Sequence, residues 1–210
     1  MALMRTGGSL FTRSLLLTFG VIFLTIAPVR ASVMRFLTVE DLAARSSQVV
    51  RARITDQTTH WTADHEGIYT EISAIVLGDL KPEGLKTPGA VADARRLTII
   101  QAGGIIDGIS LDWTGRPNFS VGEDLVLFLA PYEPTLPADQ RLLVVGGKQG
   151  RMRVLTDARG NPTMVERDLQ GVLGAPHIEN DTPTDPAPRR DLIRFDELSN
   201  KVRTTVGGKR

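Results

Sequence analysis

The chain has 210 residues, no cysteine and nearly balanced charge, with 25 Lys and Arg against 24 Asp and Glu. Lacking thiols, it has no disulfide, no cysteine nucleophile and no thiolate metal ligand. Lacking a basic surplus, it is not composed as a nucleic-acid binder.

The first 31 residues read as a signal peptide. Arg5 and Arg13 give a basic start, residues 14–27 are almost wholly apolar, and Val29-Arg30-Ala31 offers small residues for cleavage after Ala31. An uncleaved anchor is the competing reading, but the apolar run is shorter than the ~20 residues of a spanning helix. Arg5, Arg13 and Arg30 are the only charged residues there, so residues 32–210 carry a net −2. The expected product is periplasmic or secreted, from a bacterium, with no transmembrane anchor after cleavage. Its stability must come from a packed core, which this length allows.

Thr38 followed by Asp41 resembles an N-cap with an acid at the third helical position, predicting a short helix over residues 39–46. Val50, Ala52 and Ile54 then alternate with Arg51, Arg53 and Thr55, a strand pattern. Residues 57–67 read as a polar loop holding His60, Trp61 and His65. Residues 68–77 form a long strand that Gly78 and Asp79 break, and residues 81–95 read as an exposed loop. A strand follows over 96–101, then a bend at Gly103-Gly104, an extended stretch over 105–111 and a turn at 112–117.

Residues 125–129, Leu-Val-Leu-Phe-Leu, are apolar on both alternating faces, which predicts a central strand covered on each side and ended by Pro131. Strands over 141–145 and 152–156 flank the glycines of residues 146–150, and a last short strand lies near 163–165. Residues 171–190 read as a linker. A final helix over about 191–202 would place Leu192, Phe195, Leu198 and Val202 on one face. The expected organisation is a signal peptide (1–31), a β domain (32–170), a linker (171–190) and a C-terminal helix and tail (191–210). The expected fold is all-β, a small OB-like β-barrel, with a β-sandwich as the alternative and a short helix at each end.

The order Ser46-Ser47-Gln48-Val49-Val50, Ile68-Tyr69-Thr70, Leu80-Lys81, Gly103-Gly104, Gly122-Glu123 with Leu127-Phe128-Leu129, and Gln149-Gly150 resembles a family of uncharacterised exported bacterial proteins. It is more distantly similar to the OB-like barrel of netrin and metalloprotease-inhibitor domains. That resemblance implies a β-barrel outside the cytoplasm. It carries over no catalytic residue, and those domains are disulfide-bonded whereas this chain has no cysteine.

The candidate chemistry is sparse. His60 and His65, with Asp64 and Glu66 beside them, are the nearest approach to a zinc site, but their spacing matches no helical zinc motif. No metal or other cofactor is expected. There is no Gly-x-Ser-x-Gly elbow, and Asp107 and Asp112 read as turn residues. The ligand-binding candidates are Trp61 and Trp113, as loop anchors, and Arg51, Arg53, Arg151 and Arg153, which would form an anion-binding patch if their strands were neighbours. Glu123 is expected to accept from a backbone N–H or an arginine. The expectation is a non-enzymatic binding module whose partner is another envelope or secreted protein or an acidic polymer. The alternatives are an accessory protein of a secreted hydrolase, as inhibitor or folding partner, and a metal-dependent hydrolase using His60 and His65.

Overall fold

The structure, a computed structural model, describes residues 34–81, 95–132, 141–174 and 190–207. The expected signal peptide, most of the 81–95 loop, most of the 171–190 linker and His177 lie outside them. All described residues belong to one unit, Val33–Arg210. It is mostly strand, 55% against 16% helix, so the all-β expectation holds.

The elements in chain order are β1 (Met34–Arg35), α1 (Val39–Arg45), β2 (Gln48–Trp61), β3 (Ile68–Lys81), β4 (Arg96–Ala102), β5 (Gly104–Ile106) and β6 (Ile109–Leu111). They continue with β7 (Asp124–Pro131), β8 (Arg141–Val144), a 3₁₀ turn (Gly147–Gly150), β9 (Arg151–Thr156), β10 (Pro162–Asp168), β11 (Val172–Leu173), β12 (Arg190–Arg194) and α2 (Phe195–Gly207). The main sheet runs β12-β10-β9-β7-β2-β3-β4-β8 and is ring-like, because β8 also pairs with β7. Within that circuit only β4 and β8 are parallel.

β7 is the hub. On one edge it pairs with β2, and on the other with β9 and then β8. Leu125, Leu127 and Leu129 join Val50, Ile54, Ile72 and Ile99 in a core inside the circuit. Val126 and Phe128 point the other way, into a second core with Met152 and Val165 and with Leu42, Leu198 and Val202 of the two helices. A strand buried on both faces is apolar at every position, which is why this stretch is legible in the sequence.

α1 starts where its cap predicts. Thr38 Oγ1 accepts from the Asp41 N–H at 3.0 Å, and Asp41 accepts from the Thr38 N–H at 3.1 Å. The backbone N–H of Thr38, then its hydroxyl, hold the Asp41 carboxyl below its ordinary 3.8. A carboxyl depressed in the folded state stabilises fully above its unfolded pKa, and that contribution is lost as pH falls through the folded value. The start of α1 should therefore loosen below about pH 3.8, seen as faster amide exchange at Asp41. Thr38→Ala should cost about 1 kcal/mol in urea unfolding at neutral pH; no loss would mean the cap is idle.

Four local readings change. β2 runs on to Trp61, so residues 57–61 are strand rather than loop; Thr58, Thr59 and His60 pair with Glu71, Thr70 and Tyr69 of β3. This ribbon extends beyond the core, so its polar residues carry no apolar alternation to read. β3 passes through Gly78 and Asp79, which pair with Arg51 and Val50, to Lys81, and the β2–β3 register shifts on either side of them as bulges. Residues 105–111 are a tight hairpin: Asp107 and Gly108 have φ of 52° and 77°, the left-handed pair of a two-residue turn. Residues 191–194 are strand, with Ile193 buried and Leu192 57% exposed, and the helix begins at Phe195. Pairing with β10 overrides the helical spacing there.

Two buried polar side chains anchor the N-terminal segment. The Gln149 amide donates to the Arg35 carbonyl and accepts from the Leu37 N–H, both at 2.9 Å, in the manner of a missing strand. Gly150 beside it must be glycine, since a Cβ there would lie 2.0 Å from the Val145 carbonyl oxygen. Arg167, 2% exposed, donates to the Leu37 carbonyl at 2.9 Å and to Asp191 at 2.8 Å.

Candidate functional site

The four candidate arginines do not come together. Arg51 pairs across the sheet with Val126 and Arg53 with Asp124, whereas Arg151 pairs with Leu127 and Arg153 with Leu125. Directly paired residues share a face and successive residues alternate, so the two arginine pairs leave the sheet on opposite sides, with β7 between them.

Each also faces a carboxylate. Arg51 holds Asp124 through Nε and Nη2, the latter at 2.6 Å, and these hydrogen bonds raise its already high pKa. Arg53 stands 4.0 Å from the same carboxylate. Arg151 reaches both oxygens of Glu123 at 2.6 Å, and Glu123 also accepts from the Ser120 N–H at 2.8 Å, matching its expected role. Glu166 bridges Arg153 at 2.6 Å and Arg190 at 2.8 Å. These last groups line an open hollow of about 290 Å³ with Asp168, in which acids and bases alternate. Charges paired in this way offset one another rather than build an attractive positive field.

The histidines do not converge either. His60 stacks on Tyr69, with ring centroids 5.3 Å apart, while His65 lies in the following turn, 6.0 Å from the Trp61 ring. Among the described residues no three His, Cys, Asp or Glu side chains gather as a metal-binding group.

The tryptophans mark a different region. Trp61 Nε1 donates to Asp107 at 2.9 Å and so ties the tip of β2 to the β5–β6 hairpin. That hairpin is apolar yet exposed: Ile105 is 69%, Ile109 53% and Leu111 44% accessible, and Trp113 just beyond is 45%. Trp113 Nε1 donates to the Ala102 carbonyl at the end of β4, 3.2 Å away. Beside it a groove of about 240 Å³ runs between β4 and β8, walled by Ile100, Gln101, Trp113, Tyr132 and Leu143. The two strands pair only at Thr98–Arg141 and Ile99–Leu142, although β4 continues to Ala102 and β8 to Val144. The groove is the gap where they part.

Of this region, Trp61 and Trp113 were readable as candidates; Tyr132, Ile105, Ile109 and Leu111 were not. The hairpin had a signal, since Asp-Gly between apolar residues is the usual two-residue turn. The groove had none, because it depends on which strands pair and where they stop.

No protein-family model matches this chain, and no curated protein or solved structure matches it.

Proposed function

We propose that this protein is a non-enzymatic binding module exported to the bacterial envelope or secretome, built on an OB-like barrel and holding another protein through its β5–β6 hairpin and the adjoining groove. The observation that carries this reading is the exposed apolar side chains of the hairpin and its exit, Ile109 and Leu111 on one face, Ile105 on the other and Trp113 just beyond. Large apolar side chains left this exposed together on one hairpin are the kind of surface that a partner covers. The barrel reading is supported by the pairing circuit β7-β2-β3-β4-β8-β7 with its single parallel step; β8 bonded to both β4 and β7 favours closure over a sandwich. Export is supported by the basic and apolar pattern of residues 1–31. No described helix is long and apolar enough to cross a membrane.

The test is cross-linked affinity capture from the native envelope and culture fluid, with wild-type protein and an Ile109→Ser/Trp113→Ser variant as baits. One dominant protein held by the wild type and lost with the variant is expected; if it is a hydrolase, the module is its accessory. Equal capture by both baits, or none, would sink the reading. Salt-sensitive binding to an acidic polymer, weakened by Arg51→Ala and Arg151→Ala, would put a polymer in place of the protein. Near-stoichiometric zinc, lost on His60→Ala/His65→Ala substitution, would establish the metal-dependent hydrolase.

A further inference from the structure

The β5–β6 hairpin is a two-stranded sheet of its own, hydrogen-bonded to no other described strand. Such a sheet is marginal in water and gains from a third strand. Its inner strand, β5, rests on the β2–β3 ribbon, where a Cβ on Gly104 would lie 2.6 Å from both Thr59 Cγ2 and Thr70 Oγ1. β6 is the outer strand, with Ile109, Ser110 and Leu111 all exposed. The register shows which of its backbone groups are free. Asp107 and Gly108 form the two-residue turn, so Ile106 and Ile109 are the hydrogen-bonded pair that closes it, and the next pair, Ile105 and Ser110, is a non-bonded one. The Ser110 N–H and C=O therefore point away from β5. Among the described residues neither has a hydrogen-bond partner. Ile-Ser-Leu carries no lysine, proline or bulge, the devices that keep a strand edge from pairing.

The charges beside this edge are negative. Asp107 precedes β6 and Asp112 follows it, and the turn after β2, joined to Asp107 through the Trp61 indole, adds Asp64 and Glu66. Among the described residues only Asp112 of these four pairs with a Lys or Arg, namely Arg116 at 3.6 Å. A second copy of β6 is a poor occupant of such an edge. Antiparallel pairing about Ser110 would set Asp112 opposite the other copy's Gly108, next to its Asp107, and like charges across a strand pair repel. A strand that brings a positive charge to the turn has no such conflict.

We propose that β6 takes up an extended segment of a partner protein as an antiparallel third strand, bonded through the Ser110 backbone, with apolar side chains opposite Ile109 and Leu111 and a Lys or Arg beside Asp107. Running antiparallel, the segment meets Leu111 first and the turn last. It therefore reads apolar-x-apolar, with the basic residue one or two positions after. This rests on the binding-module reading above and deepens it.

The test is selection of a displayed library of random short peptides on the purified protein, followed by titration of the enriched peptides. Enriched sequences should carry that apolar-x-apolar-basic order. Ser110→Pro removes only the outward N–H, a change that an edge strand tolerates, and should weaken binding about tenfold; Ser110→Ala keeps the N–H and should not. Asp107→Asn keeps the turn and an acceptor for Trp61, and should weaken binding about threefold and flatten its salt dependence. In the unaltered protein, exchange of the Ser110 amide should slow when peptide is added. Indifference to Ser110→Pro or to Asp107→Asn, an unchanged Ser110 amide, enrichment without the basic residue, or no enrichment would overturn the proposal. A dimer of the unaltered protein that Ser110→Pro abolishes would put a second copy in place of the partner. If affinity capture finds a partner that depends on Ile109 and Trp113 but tolerates Ser110→Pro, this inference falls while the binding-module reading stands.

Discussion

Replacing Phe128 by alanine should remove about 3–5 kcal/mol of stability, about a fifth or more of the roughly 5–15 kcal/mol that a domain holds. Phe128 is fully buried on the helix-facing side of β7, in the cluster with Val126, Met152, Leu198 and Val202. A cavity costs most where its surroundings cannot collapse. Here the strand is pinned by β2 on one edge and by β8 and β9 on the other, while the opposite face is filled by Leu125, Leu127 and Leu129. Urea unfolding should show a lower midpoint with an unchanged slope. Leu173→Ala, at a 63% exposed position, should move it by no more than about 0.5 kcal/mol. A loss below about 1 kcal/mol for Phe128→Ala would mean that the two helices repack onto β7, and that β7 is not the hub argued above.

The second large effect is expected where an ion pair is broken on one side only. Arg167 is pressed between the Phe36 ring, 4.9 Å from its guanidinium carbon, and the sheet, and it holds Asp191 and the Leu37 carbonyl. Burial lowers its pKa, and the Asp191 carboxylate pulls it back up. Asp191→Ala strands a buried cation, which typically costs 3–5 kcal/mol. Because Asp191 is 32% exposed and water reaches that side, about 3 kcal/mol is expected. Arg167→Met removes the charge along with its need for a partner and keeps most of the volume. It takes a donor from the Leu37 carbonyl and leaves the Asp191 carboxylate, 32% exposed, to water, so it should cost at least about 1 kcal/mol less than Asp191→Ala. If Arg167→Met proves the more damaging of the two, the guanidinium is stabilising through its bonds to residue 37 rather than being tolerated because Asp191 neutralises it.

Both effects concern how the first and last described segments are fastened to the sheet. Arg167 and Gln149 hold residues 35–37, while Leu198 and Val202 seat α2 against α1. Neither arginine nor glutamine announces such a role in the sequence, because a buried polar side chain looks the same as an exposed one until its partners are known. Arg51, Arg53, Arg151 and Arg153 teach the converse. Their alternation correctly placed them on strands, but whether they meet depended on β7 lying between β2 and β9 and on a register that sends them to opposite faces.

By itself the sequence determined what local physics dictates. The cap at Thr38 and Asp41 follows from hydrogen bonds three residues apart. The two-faced β7 follows from an apolar run that only a doubly covered strand tolerates. The balance of strand over helix follows from period-two alternation. The tertiary structure alone decided what depends on pairing at long range. It carried β2 through its polar residues to Trp61 and turned residues 191–194 into a strand on β10. It also parted β4 from β8 beyond Ile99 and Leu142. The groove between Trp113 and Tyr132 is written in no stretch of the chain, because it is made by two strands ceasing to touch.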